Sequence, residues 1–340
     1  IIITPHHINR PCAADSSNKG RCLWNPAADI PVQVTRERAF VAACELTTML
    51  NILVTGASDG IGLALCKLLV KEHKARVYLC ARNPTKGAAA VEAVKEYCKE
   101  TTDGGGGSSN DVLVHLVIMD VSTDGSVQAA AAKLREEQVK LDVIVNNAGI
   151  GLSERIQPQD VINVNYHGPK RVVKYLLPLL NTSSSSCCRI VNVGSGAGPM
   201  FVGKQESEKQ KRMCNPDISL EDLEQLEAEG WANDGYKGYG LSKALLASYT
   251  VYLSRQHDSS KVAVFCLTPG FVDTNMTKGR GASLTPFEGT KSTRHCIFDA
   301  RPNESGWYFG SDSKRSPLHV LRSPGEPVFD GVYPWDNSNK

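Results

Sequence analysis

A chain of 340 residues with 38 basic and 36 acidic side chains is close to electroneutral. That balance excludes the charge signature of a nucleic-acid binder or a basic membrane patch. The length holds one large α/β domain or two ordinary ones, and the longest apolar run, VLVHLVIM at 112–119, is far short of the roughly 18 residues of a membrane span.

Residues 1–48 mix proline, cysteine and the paired His6 and His7 without a helix or strand period. They read as an appended, poorly ordered arm, with the fold beginning at Met49. The acidic Asp15, Asp29, Glu37 and Glu45 argue against an organellar transit peptide. His6, His7, Cys12 and Cys22 lack the short spacing of ligand pairs, so no metal is expected. Eleven cysteines, without a Cys-x-x-Cys pair or a secretory leader, point to free thiols in a reducing, cytoplasmic setting. The adjacent Cys187 and Cys188, in a serine-rich loop, read as incidental.

From Met49 onward strands and helices alternate. MLNILV (49–54) is an apolar strand, TGASDGIG (55–62) a glycine-rich turn, and IGLALCKLLVKEH (61–73) an amphipathic helix. This is the first βα unit of a nucleotide-binding sheet. Gly56 turns the chain off the strand, Gly60 lets backbone approach a pyrophosphate, and Gly62 keeps the helix close to the sheet. Ser58 and Ile61 complete the phosphate-facing turn. A strand at 75–80 leads through ARNPTKG to a helix at about 85–100, and TTDGGGGSSN (101–110) is a flexible surface loop. A strand at 112–119 ends at Asp120 and Val121, a helix follows over 124–138, and LDVIVNNAG (141–149) is a buried strand with a polar end. A long helix is expected over about 157–180, then a strand at 189–193.

Residues 199–235 interrupt the rhythm with KQESEKQKR, a solvated charge run, and a helix capped near Ser219 or Asp217 that turns Leu220, Leu223 and Leu226 inward. A helix over 237–256 and a strand over 261–270 follow. In the tail, 285–298 is helix-compatible and 305–310 suits an edge strand; beyond about 311 little regular structure is legible. The pattern predicts a doubly wound, mostly parallel sheet of the dinucleotide-binding type, one domain over 49–310 with a helical insertion, and an irregular tail over 311–340.

Tyr239 and Lys243, in YGLSK, lie one helical turn apart on one face. They follow strands ending in NNAG and GSG, where an open parallel sheet presents groups to its ligand crevice. With these motifs in place, the chain resembles the short-chain dehydrogenase/reductase family over about 49–310, and within it the carbonyl reductases and plant alkaloid and terpene ketone reductases. TGASDGIG, NNAG (146–149), VGSGAG (193–198) and YGLSK (239–243) match in order and spacing. The Gly-x-x-x-Gly-x-Gly turn is that family's form, unlike the Gly-x-x-Gly-x-x-Gly of epimerases and dehydratases.

The resemblance implies that Tyr239 is the general acid and that Ser195 hydrogen-bonds the carbonyl oxygen. Lys243 would favour the phenolate and hold the nicotinamide ribose, and Asn165 would expose helix backbone to a water that joins Lys243 to solvent. It assigns cofactor contacts to Asn147, Ala148 and Gly149, to the TPGFVDT loop through Pro269, Gly270, Val272 and Thr274, and to Asp120 and Val121 at the adenine. Arg82 follows the second strand, where an acidic residue would select NAD; a guanidinium there fits the 2′-phosphate of NADP. Asp59 argues mildly the other way. The expected activity is NADPH-dependent reduction of a small-molecule ketone, aldehyde or quinone. Oxidation of an alcohol by the same residues and a silent nucleotide sensor are the alternatives. An insertion at 199–235 is typical of monomeric carbonyl reductases, so a monomer is expected. The loop at 150–160, the insertion and residues 275–300 are expected to line the pocket.

Overall fold

The apolar run ahead of the glycine turn becomes β1 (Asn51–Val54), with Ile52, Leu53 and Val54 wholly buried. The computed structural model describes residues 49–99, 113–151, 156–184, 186–230 and 238–337. After β1 come α1 (Gly60–Lys71), β2 (Arg76–Ala81), α2 (Pro84–Lys99), β3 (Val114–Ile118), α3 (Asp124–Glu136) and β4 (Val143–Asn146). Next are α4 (Pro158–Ile162), a π-helical turn (Asn163–His167), α5 (Gly168–Leu176) and β5 (Cys188–Val193). The insertion supplies α6 (Ala197–Val202), α7 (Ser207–Met213) and α8 (Leu220–Glu229) ahead of α9 (Tyr239–Arg255). β6 (Val262–Leu267), α10 (Lys291–Phe298) and the two-residue edge strand β7 (Tyr308–Phe309) complete the sheet.

All seven strands run parallel, in the order β3-β2-β1-β4-β5-β6-β7. Such a sheet needs helices on both faces, which is why its strands are continuous apolar runs rather than alternating ones. One apolar core joins the sheet to α3, α5, α8 and α9, and a second joins the opposite face to α1, α2 and α10. Strand order reverses between β1 and β4, and ligands of doubly wound sheets bind at that switch point. There Gly56 adopts φ 61°, and a Cβ on it would come within 2.6 Å of Ala148 Cα. The turn after β1 and the loop after β4 therefore touch backbone to backbone.

One expectation needs correction and two gain detail. The helix expected over 157–180 runs over residues 158–179, and residues 163–167 within it form a π turn that inserts one extra residue into the ladder. Leu220 does not join the inner face of α8. It stays 37% exposed, while Leu223 and Leu226 are wholly buried. As the first residue of the helix, Leu220 projects back past the packed turn; the cap itself is a reciprocal Ser219–Asp222 box. The tail beyond 311 is irregular as expected, yet it is packed: Ser316, Leu318 and Arg322 are buried.

The insertion is stapled down. Ser248 donates to the Met213 carbonyl (2.7 Å), Arg255 to the Ile218 carbonyl (2.6 Å), and His167 meets Glu227 at 2.9 Å. Among the described residues no helix is long and apolar enough to cross a membrane, no cluster could hold a metal, and the eight cysteines are free. Cys187 and Cys188 point their sulfurs at separate carbonyls. The expectations placed on residues 1–48 and on the loop 101–110 fall outside the described residues.

Candidate active site

α9 opens at Tyr239 directly after Gly238, whose φ of 85° lets the chain turn sharply into the helix. Its first turn sets Tyr239 and Lys243 side by side over the C-terminal end of β5, 9% and 4% exposed. Lys243 Nζ donates to the Val193 carbonyl at 2.9 Å and stands 5.8 Å from the centre of the Tyr239 ring. Ser195, two residues beyond β5, accepts from Ala197 N–H on its Oγ (3.2 Å), and its carbonyl accepts from Tyr308 Oη (3.0 Å). The edge strand thus helps hold the loop that carries Ser195.

Burial pushes the Tyr239 phenol above its usual value, and the hydrogen bond with Ser195 offsets this only in part. Burial brings the Lys243 ammonium down to about 8, against a small opposing effect of Cys266. This departs from the expectation that Lys243 draws the phenol towards phenolate. The lysine spends its hydrogen bond on Val193, and burial governs Tyr239. A phenol held in this way is protonated at neutral pH and ready to donate.

Asn165 lies in the π turn, wholly buried, and is not part of the cleft wall. Its Oδ1 accepts from Ile150 N–H and its Nδ2 donates to the Ile150 carbonyl, both at 2.8 Å; Nδ2 also reaches Ser242 Oγ at 3.1 Å. It ties the loop after β4 to the catalytic helix. The extra residue of the π turn is what swings its amide towards them.

Ser195, Tyr239, Lys243 and all the expected cofactor residues line one cleft of about 1190 Å³. At one end are Gly56, Ser58, Gly60, Ile61 and Gly62, where α1 begins; the Asp59 carboxylate caps that helix by accepting from Gly60 N–H (2.7 Å) and also bonds Asn275. Asn147 acts as a clamp, its Nδ2 donating to the carbonyls of Thr55 (2.9 Å) and Gly56 (3.1 Å). A Cβ on Gly62 would fall 2.5 Å from that Nδ2, so only glycine fits. Ala148, Gly149, Val121, Pro269, Gly270, Val272 and Thr274 complete the walls. Burial would raise the Asp120 carboxyl, but hydrogen bonds from Ser122 and the charges of Arg82 and Arg171 bring it below its usual value.

The cleft fits a dinucleotide cofactor. Arg82 and Lys86 both line it, Arg82 is exposed, and among the described residues neither forms a salt bridge. No carboxylate follows β2 there; Asn83 comes next and caps Lys86 N–H (2.9 Å). The sequence reading missed Lys86, although its i, i+4 spacing from Arg82 was a usable signal. It also missed Ser311 and Leu321–Pro324 of the tail, which line the cleft. Of the regions expected to do so, Ile150, Met200, Asn275, Met276, Thr277, Ser283 and Leu284 take part, and helix α10 does not.

The family model for short chain dehydrogenase matches residues 50–206. The (+)-neomenthol dehydrogenase of Arabidopsis thaliana is 30% identical over 295 residues, covering 76% of this chain and 94% of that protein. Carbonyl reductase [NADPH] 1 of Bos taurus is 29% identical over 260 residues, covering 71% and 87%. Among solved structures, salutaridine reductase from Papaver somniferum superposes with a TM-score of 0.61 at 26% identity, covering 76% of this chain and 99% of that one. With that sheet, that glycine turn and that serine–tyrosine–lysine group, the chain belongs to the short-chain dehydrogenase/reductase family of NAD(P)-dependent oxidoreductases.

Proposed function

We propose that this enzyme reduces a ketone, aldehyde or quinone to the alcohol with NADPH, Tyr239 supplying the proton. The observation that carries this reading is the buried Tyr239 phenol beside Ser195 and Lys243 in the cleft. Reduced nicotinamide, when bound, supplies the hydride for the carbonyl carbon. Ser195 Oγ donates to the carbonyl oxygen and stabilises its growing negative charge. Tyr239 Oη transfers its proton to that oxygen, so the alcohol forms and a phenolate remains. The Lys243 ammonium, one turn away, stabilises that phenolate and orients the nicotinamide ribose. Asn165 keeps the loop at Ile150 and helix α9 in register and leaves the π turn open to a proton-relaying water.

NADP is favoured because Arg82 and Lys86 offer two cations and no carboxylate where the adenosine 2′ position falls. The bovine relative is named for NADPH and for carbonyl reduction, in accord with both halves of the reading. The free thiols accord with a cytoplasmic setting.

The test is NADPH consumption against a panel of neutral carbonyls, with NADH alongside. Carbonyl-dependent oxidation of NADPH, with NADH poorer, is the expected result. Folded protein that consumes no NADPH with any member would overturn the proposal.

The same packing supports a monomer. Met213, Ile218, Leu223 and Leu226 bury their side chains in the core beside α9 and cover a flank that would otherwise be open to a second subunit. Light scattering should give one chain mass; a stable dimer would contradict it.

A further inference from the structure

Past β7 the chain folds back on itself and returns to the cleft. Phe309 pairs antiparallel with Arg315, and Ser316 N–H donates to the Tyr308 carbonyl (2.8 Å). The loop between Asp312 and Glu326 is then cross-braced by one side chain. The Arg322 guanidinium donates to Ser316 Oγ (2.9 Å), to the carbonyls of Ser323 (3.2 Å) and Glu326 (2.9 Å), and to the Asp312 carboxylate. It is 4% exposed. Gly310 leaves room for this brace: a Cβ there would lie 2.8 Å from Arg322 Nη2, Asp312 Oδ1 and Ser316 Oγ alike. Leu318 is buried, and the His319 ring packs edge-on against Tyr333 (5.3 Å) and Trp335 (5.6 Å), which stack on each other at 5.0 Å.

Leu321 stands between these two anchors. It is 42% exposed and lines the cleft, and a methyl group on Gly196 would come within 3.1 Å of its Cδ1. Gly196 adjoins Ser195, so Leu321 closes the cleft next to the hydroxyl that meets the carbonyl oxygen. The charged side chains lining the cleft are Asp59, Arg82, Lys86 and Asp120 on the cofactor's turns, the catalytic Lys243, and Arg322, whose charge Asp312 neutralises. Ile150, Met200, Phe271 and Leu284 are apolar. A charged substrate would find no free counter-ion, whereas an apolar ring system would meet matching surface.

Resting on the reductase reading above, we propose that Leu321, fixed by the Arg322 brace, is the specificity-determining residue that limits the bulk of the uncharged ketone admitted beside Ser195. Its exposure lets it be replaced without emptying the core.

Leu321→Trp and Leu321→Ala would be compared with wild type on the monocyclic cyclohexanone and the bicyclic decalone. Binding of prodan, an uncharged aryl ketone dye whose emission reports burial, is read in parallel with the NADP⁺-loaded enzyme, which has no hydride to reduce it. Leu321→Trp should lose about tenfold in kcat/KM for decalone and in affinity for the dye, as expected for overfilling a packed site. Cyclohexanone should lose clearly less than decalone, and Leu321→Ala should shift decalone the other way. Equal losses on both ketones, or unchanged dye affinity in Leu321→Trp, would overturn the proposal, as would a wild type that does not bind the dye. A wild type that binds the dye but reduces no member of the carbonyl panel refutes the reductase reading instead, and the dye affinities of the variants still decide the role of Leu321.

Discussion

Tyr239→Phe should lower kcat by about 10²–10⁴-fold, the usual contribution of one positioned proton donor. The ring itself is expected to stay in place. Gly151 lies so close that a Cβ on it would meet Tyr239 Cδ2 at 2.4 Å, and phenylalanine fills the same slot. Thermal stability and NADPH affinity should therefore match wild type, which separates this loss from misfolding. The change removes only the proton that the carbonyl oxygen needs as it gains charge. Ser195 cannot replace it, because a serine hydroxyl is far less acidic than a phenol. Turnover near wild type in Tyr239→Phe would show that the proton comes from elsewhere and would end the mechanism.

The second large effect concerns the cofactor. Arg82→Asp combined with Lys86→Ala should raise KM for NADPH by about 10²-fold or more, since each charged hydrogen bond lost is worth about 1.5–3 kcal/mol. The new carboxylate adds repulsion against a 2′-phosphate and offers a ribose hydroxyl an acceptor, so KM for NADH should fall or hold steady. Both sites are exposed, so stability should barely move. Each single variant would apportion the effect between guanidinium and ammonium. An unchanged KM for NADPH in the double variant would place the phosphate elsewhere. Asp59 would be freed from suspicion by the positive outcome: its carboxylate caps α1 and bonds Asn275, away from Arg82 in the chain's own hydrogen bonding.

The sheet was legible because each of its features leaves a local mark. Apolar runs of strand length, a glycine turn at the first strand's end and a helical period after it place β1, α1 and the phosphate site without tertiary information. Tyr239 and Lys243 were legible for a similar reason, their spacing being one turn of helix. The π turn around Asn165 was not legible, because one extra residue in a helical ladder leaves the apolar period of the flanking turns nearly unchanged. Leu220 was misread because a periodic face says nothing about where the supporting neighbour ends. The packing of the tail was not legible for a deeper reason. Its order comes from Arg322 reaching Asp312, Ser316, Ser323 and Glu326, and from ring contacts between His319, Tyr333 and Trp335. Such contacts have no period, and a run of glycine, proline and serine conceals them.

The burial of Lys243 also bears on how firmly the protein is folded. In the unfolded chain this amine keeps its ordinary value of 10.5, while in the native cleft it sits near 8. Between those values the unfolded chain holds a proton that the native state has released, so this residue makes the native state more stable as pH rises, by at most about 1.4 kcal/mol per pH unit. Below pH 8 both states carry the charge and the full cost of burying it persists. Other groups titrate in the same window, so the measure is the difference between wild type and Lys243→Met in melts across that range. Wild type should gain on the variant as the medium becomes alkaline. At neutral pH, then, the cleft holds the Lys243 cation at the expense of the fold, and an anionic cofactor is the natural partner to relieve it.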